Sequence, residues 1–117
     1  MLAVVLILLV ALLHLYFLVL EMFLWTRPQG LRVFRNTPEK AEVTRVLAAN
    51  QGLYNGFLAA GLLWALASSL RDVALFFLGC VVVAGLYGAA TVSRRIFYVQ
   101  AVPALAAIAA VLVAGLP

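Results

Sequence analysis

Apolar residues fall in four long blocks, at about 2–25, 46–68, 73–92 and 96–116, separated by short polar stretches. Each block is close to the roughly 20 residues that a helix needs to cross a hydrocarbon core of about 30 Å. Only helices and closed barrels satisfy their backbone in such a core, and barrel strands would alternate polar with apolar side chains, which these blocks do not. The pattern predicts an all-α fold: a four-helix transmembrane bundle, antiparallel and up-down, forming one domain over 1–117.

Helix boundaries follow from the breakers. Helix one, 2–25, stops at Thr26-Arg27-Pro28-Gln29-Gly30, where proline and glycine interrupt it and charge begins. Thr37-Pro38-Glu39-Lys40 reads as a helix start, with Thr37 as N-cap, Pro38 at the first helical position and Lys40 in the capping-box slot. Helix two therefore covers 38–68 and enters the membrane near Val46. Ser69-Leu70-Arg71-Asp72 is a tight turn into helix three, 73–92, and Ser93-Arg94-Arg95 turns the chain into helix four, 96–116. Pro103 leaves the carbonyl of Val99 without a donor and kinks that helix. The first block lacks a basic leading segment and a small-residue cleavage site, so it is expected to be a retained span rather than a signal peptide.

Composition agrees, with 68% hydrophobic and 10% charged residues against about half and a quarter in water-soluble domains. Cys80 is the single cysteine and lies inside the third block, so no intrachain disulfide forms and its expected role is apolar packing. The net charge of +4 does not imply nucleic acid, because the basic residues flank the spans, where orientation and anionic lipid account for them. Arg27, Arg32, Arg35, Lys40 and Arg45 occupy the first loop region, Arg94 and Arg95 the third, and Arg71 alone the second. The positive-inside rule then puts loops one and three in the cytoplasm and both termini outside.

Converted to depth at about 1.5 Å per residue, the polar side chains are one-sided. Glu21, Asn50, Gln51, Tyr54, Asn55, Tyr87, Thr91, Tyr98 and Gln100 all fall in the cytoplasmic half, with His14 near mid-membrane. At about 100° per residue, His14, Glu21 and Trp25 share one stripe of helix one. On helix two, Thr44, Asn50, Gln51, Tyr54 and Asn55 occupy one arc, and Gly52, Gly56 and Ala60 are expected on the opposite side as a small-residue ridge for close helix contact.

An ionisable carboxylate in hydrocarbon is costly, by about 2.5 to 3.5 kcal/mol on insertion scales, so Glu21 needs a partner. It is a structural partner of an arginine such as Arg27 or Arg94, or a site carboxylate acting with His14 and the helix-two amides on a ligand or a proton, or it is simply exposed at the interface. One histidine with one glutamate is a poor metal site, and no metal is expected. The carboxamides of Asn50, Gln51 and Asn55 either glue helices or line a polar cavity. Arg94 and Tyr98 are four apart and face the same way. The candidate ligand-binding set is therefore His14, Glu21, Asn50, Gln51, Tyr54, Asn55, Arg94 and Tyr98, with no catalytic residue and no cofactor assigned.

The strings His14-x6-Glu21-Met22-Phe23-Leu24-Trp25 and Ala48-Ala49-Asn50-Gln51-Gly52-Leu53-Tyr54-Asn55-Gly56-Phe57-Leu58-Ala59 resemble a family of small bacterial membrane proteins of unknown function, domain of unknown function 1304, over essentially the whole length. That resemblance implies a bacterial inner-membrane protein and marks His14, Glu21, Trp25, Asn50, Gln51, Tyr54 and Asn55 as shared residues. In layout the chain is also similar to the membrane-associated proteins in eicosanoid and glutathione metabolism, four-helix subunits of a trimer that bind a thiol cofactor between subunits. Arg94-x3-Tyr98 and the Asn50 cluster occupy comparable places, whereas that family's Arg-x3-Asn-x3-Glu on helix two is absent.

The expected protein is a homo-oligomer in the lipid bilayer, a trimer in preference to a dimer, with a polar pocket open to the cytoplasm for a small amphiphilic or thiol ligand. A small proton-coupled transporter and a non-catalytic structural subunit stand as alternatives.

Overall fold

The computed structural model describes residues 1–117 and is helical throughout, without strands: α1 (Leu2–Met22), α2 (Pro28–Val33), α3 (Pro38–Ala67), α4 (Arg71–Thr91), α5 (Arg94–Ile96), a π-helical turn (Phe97–Ala101) and α6 (Val102–Ala114). Three stretches are long and apolar enough to cross a membrane: α1, α4, and the run from Arg94 to Ala114. At 30 residues α3 is the longest helix, but its charged first turns and the carboxamides of Asn50, Gln51 and Asn55 dilute its hydropathy. The chain divides into two compact units, residues 13–57 and residues 1–12 with 58–117.

In the unit of residues 13–57, α1 ends at Met22, three residues before the boundary expected from the apolar block. Its last turn widens, since the amides of Phe23 and Leu24 both reach the carbonyl of Val19. Arg27, placed before proline, is extended at φ −88° and ψ 162°, as steric clash with the proline ring requires. The short α2 was not expected from the sequence, because its Pro28 and Gly30 read as breakers. In the fold Pro28 takes the permitted first helical position. Gly30 is buried against the end of α1, where a Cβ would collide with the carbonyl oxygen of Leu24. The start of α3 is as predicted: Thr37 Oγ1 accepts from the amide of Lys40 at 3.2 Å, the N-cap bond that satisfies an otherwise unpartnered amide.

In the other unit, α4 begins at Arg71, after Ser69 has turned the chain through a left-handed φ of 50°. Its buried residues Ala74, Leu78, Val81 and Gly85 recur at spacings of three and four, the signature of one helix face. That face meets the last helix closely: a Cβ on Gly85 would lie 2.9 Å from the amide nitrogen of Ala101, and one on Gly88 would lie 2.8 Å from Ile96. Because the contact rises along α4 as it falls along the last helix, the two run antiparallel. Ser69 Oγ, donating to the carbonyl of Pro117 at 2.5 Å, joins their other ends.

The expected proline kink takes a particular form. The helix does not simply bend at Pro103 but widens to π geometry over Phe97–Ala101, with the amide of Val102 reaching the carbonyl of Phe97. A widened turn is one way to accommodate the donor that proline lacks.

Candidate functional site

The residues to be placed are mostly in the unit of residues 13–57, on two helices. Buried positions on α1 within this unit include His14, Leu20 and Glu21, with His14 wholly buried and Glu21 2% exposed. His14 and Glu21 are two turns apart, so the stripe read from the sequence is real. The ring of His14 meets Phe17 edge-on, with centroids 5.4 Å apart.

On α3 the buried positions Ala41, Ala48, Gly52 and Asn55 recur at intervals of seven, four and three and so share a face. This corrects the expected separation of polar and small residues onto opposite sides. Gly52 and Asn55 both face α1, because the stripe passes between them at three-residue spacing. A Cβ on Gly52 would lie 2.7 Å from Met22 Cγ, 3.1 Å from Glu21 Cβ and 3.3 Å from the carbonyl oxygen of Leu18, and one on Gly56 would lie 2.7 Å from Leu18 Cδ1. The two helices run antiparallel here, and the missing side chain at Gly52 lets them approach at the level of Glu21. Ala60, the third member of the expected ridge, is exposed.

That close approach sets the chemistry. Asn55 Nδ2 donates to Glu21 Oε1 at 2.5 Å, and Gln51 Nε2 donates to Glu21 Oε2. Each carboxylate oxygen thus has its own amide donor, from side chains one turn apart on α3. Asn55 is buried, whereas Gln51 sits at the surface, so the carboxamide pair bridges a buried carboxylate and the exterior of the unit. No buried side-chain nitrogen or oxygen lacks a partner. Of the two partners foreseen for Glu21, arginine or amide, the structure supplies the amides.

Below the carboxylate, Trp25 Nε1 donates to Thr44 Oγ1 at 3.1 Å, and Thr44 Oγ1 donates to the carbonyl of Lys40 at 2.7 Å. The indole also packs on Phe34, with ring centroids 4.9 Å apart. Trp25 therefore ties the end of α1 to the first turns of α3. This link was not foreseen, though the placing of Trp25 on the His14–Glu21 stripe was its only available signal.

Other candidates lie elsewhere. Asn50 is exposed and donates to the carbonyl of Val46 on its own helix at 3.0 Å. Tyr54 is exposed beside Phe57. Arg94 and Tyr98 belong to the other unit, where both are exposed and Tyr98 meets Phe97 edge-on. No three His, Cys, Asp or Glu side chains gather as a metal site would need.

A family model described as protein of unknown function (DUF1304) matches residues 8–112. The uncharacterized protein YpaA of Lactococcus lactis subsp. lactis (strain IL1403) is 34% identical over 103 residues, covering 85% of this chain and 87% of that protein. No solved structure matches the chain.

Proposed function

The chain belongs to the DUF1304 family, and from that premise we propose that it is a four-crossing bacterial inner-membrane protein whose polar centre at Glu21, Gln51 and Asn55 binds the head group of a small amphiphile. One observation carries this reading: a buried carboxylate is held only by neutral carboxamides. Two amide donors give each oxygen one hydrogen bond, about half of what a carboxylate can accept, and do not cancel its charge. A lock between helices could be made from carboxamides alone, without the penalty of an ionisable group in hydrocarbon. What a carboxylate adds is affinity for a cationic or strongly donating group. Gln51, at the surface, marks the side from which such a group arrives.

The fourth crossing is α3. Its polarity is the obstacle, and the hydrogen bonds lower it: Asn50 returns to Val46, while Gln51 and Asn55 reach Glu21. Paired in this way, the three amides are far cheaper to insert than three unpartnered ones. The distribution of basic residues supports an orientation with the 23–45 segment and Arg94–Arg95 in the cytoplasm and both termini outside. Self-association belongs to the same proposal, a trimer before a dimer. The open apolar groove along Leu75, Phe76, Gly79, Cys80 and Val83 of α4 supports it as a face for a second copy.

A second reading draws on the completeness of the pairing. If Glu21, Gln51 and Asn55 serve only to lock α1 to α3, the protein is a structural membrane subunit. Thermal-shift measurements on detergent-extracted wild type and Glu21→Gln separate the two, using a long-chain alkylamine, a quaternary ammonium amphiphile, a free fatty acid and glutathione. The binding reading expects the cationic amphiphiles to stabilise the wild type and to lose that effect in Glu21→Gln, because ligand binding to the folded state raises its stability. A wild type that responds to none of them, with a strongly destabilised mutant, establishes the lock instead.

A further inference from the structure

The segment that joins α1 to α3 carries a group of cations that the polar centre does not use. Arg27, Arg32 and Arg35 lie within nine residues, are all exposed, and none forms an ion pair. Of the other exposed arginines, Arg45 pairs with Glu42 and Arg71 with Asp72. Between Arg27 and Arg35 lies α2, six residues and so about 9 Å long.

Two features fix this segment against the ends of α1 and α3. Gly30 seats α2 on the carbonyl of Leu24, and Trp25 is fastened to Thr44 and Phe34. Tryptophan with an apolar body and a bonded indole N–H is the side chain that settles at a membrane–water boundary. The arginines therefore stand immediately beyond the boundary residue at the end of an apolar span.

Arg35 supplies an independent observation. It follows the end of α2 with φ 51°, and the amide of Asn36 closes the helix on the carbonyl of Leu31 at 2.9 Å. This left-handed position after a helix is where glycine is favoured, and a long side chain is disfavoured there. Arg35 thus occupies a slot suited to glycine, and its side chain has no partner within the chain.

We propose that Arg27, Arg32 and Arg35 form a binding surface for the head groups of anionic phospholipids, with Trp25 setting its depth. The occupant is chosen by charge complementarity and position: three unpaired guanidinium groups, each able to take a phosphate through two parallel N–H donors, sit beside a span's boundary residue. The inference rests on the reading of the chain as a membrane protein, and not on any ligand at Glu21.

The test uses the full chain carrying Trp64→Phe, which leaves Trp25 as its one tryptophan, in vesicles of phosphatidylcholine mixed with chain-brominated lipid. Quenching of Trp25 gives the relative association of brominated phosphatidylglycerol and brominated phosphatidylcholine. A basic residue near an anionic surface contributes about fivefold in affinity, so a preference of at least that size is expected. It should collapse at high salt and in the Arg27→Gln/Arg32→Gln/Arg35→Gln variant. Arg35→Gly relieves the backbone, so it should fold at least as well as wild type while losing about fivefold. Equal quenching by the two lipids overturns the proposal, as does a preference unchanged in Arg35→Gly and the triple variant alike. Loss of the preference in excess inorganic phosphate at matched ionic strength also overturns it, by revealing a small-anion site. Extraction of the chain from the vesicles by alkaline carbonate would instead count against the membrane reading, which separates the two failures.

Discussion

Asn55 Nδ2 lies 2.5 Å from Glu21 Oε1 across 34 residues of sequence. Gln51, one turn earlier on the same helix, takes the other carboxylate oxygen. The two amides make α3 a clamp on a single side chain of α1. Its strength should depend on both donors and on the glycine that lets the helices meet.

Removing one donor leaves a buried carboxylate oxygen unsatisfied. Asn55→Ala should destabilise the folded protein by about 1.5 to 3 kcal/mol, the range for a hydrogen bond to a charged group. Asn55→Asp should be worse, because it sets two carboxyl groups at hydrogen-bonding distance. Denaturant unfolding in detergent micelles ranks the two variants. Equal stability of Asn55→Ala and wild type would show that the clamp contributes nothing.

The contact at Gly52 predicts a graded response. Gly52→Val should lose more than the roughly 1 kcal/mol typical of single substitutions, because the new side chain meets Met22, Glu21 and the Leu18 backbone. Gly56→Ala meets only the flexible end of Leu18 and should be milder. Gly79→Ala, with nothing of its own chain within 4 Å, should leave the fold of the single chain unharmed or slightly stabilised, since alanine is the better helix former. Melting temperatures of the three variants check the order.

At the start of α3, Thr37→Ala removes the N-cap bond to Lys40. The expected loss is about 1 kcal/mol. Thr37→Asp should restore it, because aspartate accepts the same bond and complements the positive end of the helix. Thermal unfolding followed by circular dichroism distinguishes these outcomes.

Thr44→Val deletes the acceptor of the Trp25 indole while keeping side-chain volume. Stability should fall by about 1 kcal/mol, and Trp25 emission, read in a Trp64→Phe background, should shift as the ring loses its tie to α3. An unchanged spectrum would mean that Phe34 alone holds the ring.

The proposed orientation has its own check. Single cysteines replacing Arg35 and Arg71 in a Cys80→Ala background should differ toward a membrane-impermeant thiol reagent in intact cells. Only the cysteine at position 71 is expected to label, and labelling at position 35 instead inverts the topology.

Sequence alone determined the helical class, three apolar spans and the start of α3, because these depend on local chemistry: run length, the Thr37 cap and the breakers around Pro28 and Ser69. It also put His14 and Glu21 on one stripe, since helical periodicity is a property of a single segment. Tertiary structure decided which face of α3 meets Glu21. Periodicity ranks angles around a helix but cannot say which neighbour fills which angle. Gly52 and Asn55 share a side, as their three-residue spacing, about 60° around a helix, already requires, whereas Asn50, adjacent to Gln51, bonds to its own helix. The choice of amides rather than arginine for Glu21 was likewise beyond the sequence, because Arg27, only six residues away, is carried outward by the extended backbone that Pro28 imposes. The short α2 was hidden for a related reason: proline and glycine break helices in isolation, but Pro28 begins one and Gly30 lets it rest on the end of α1.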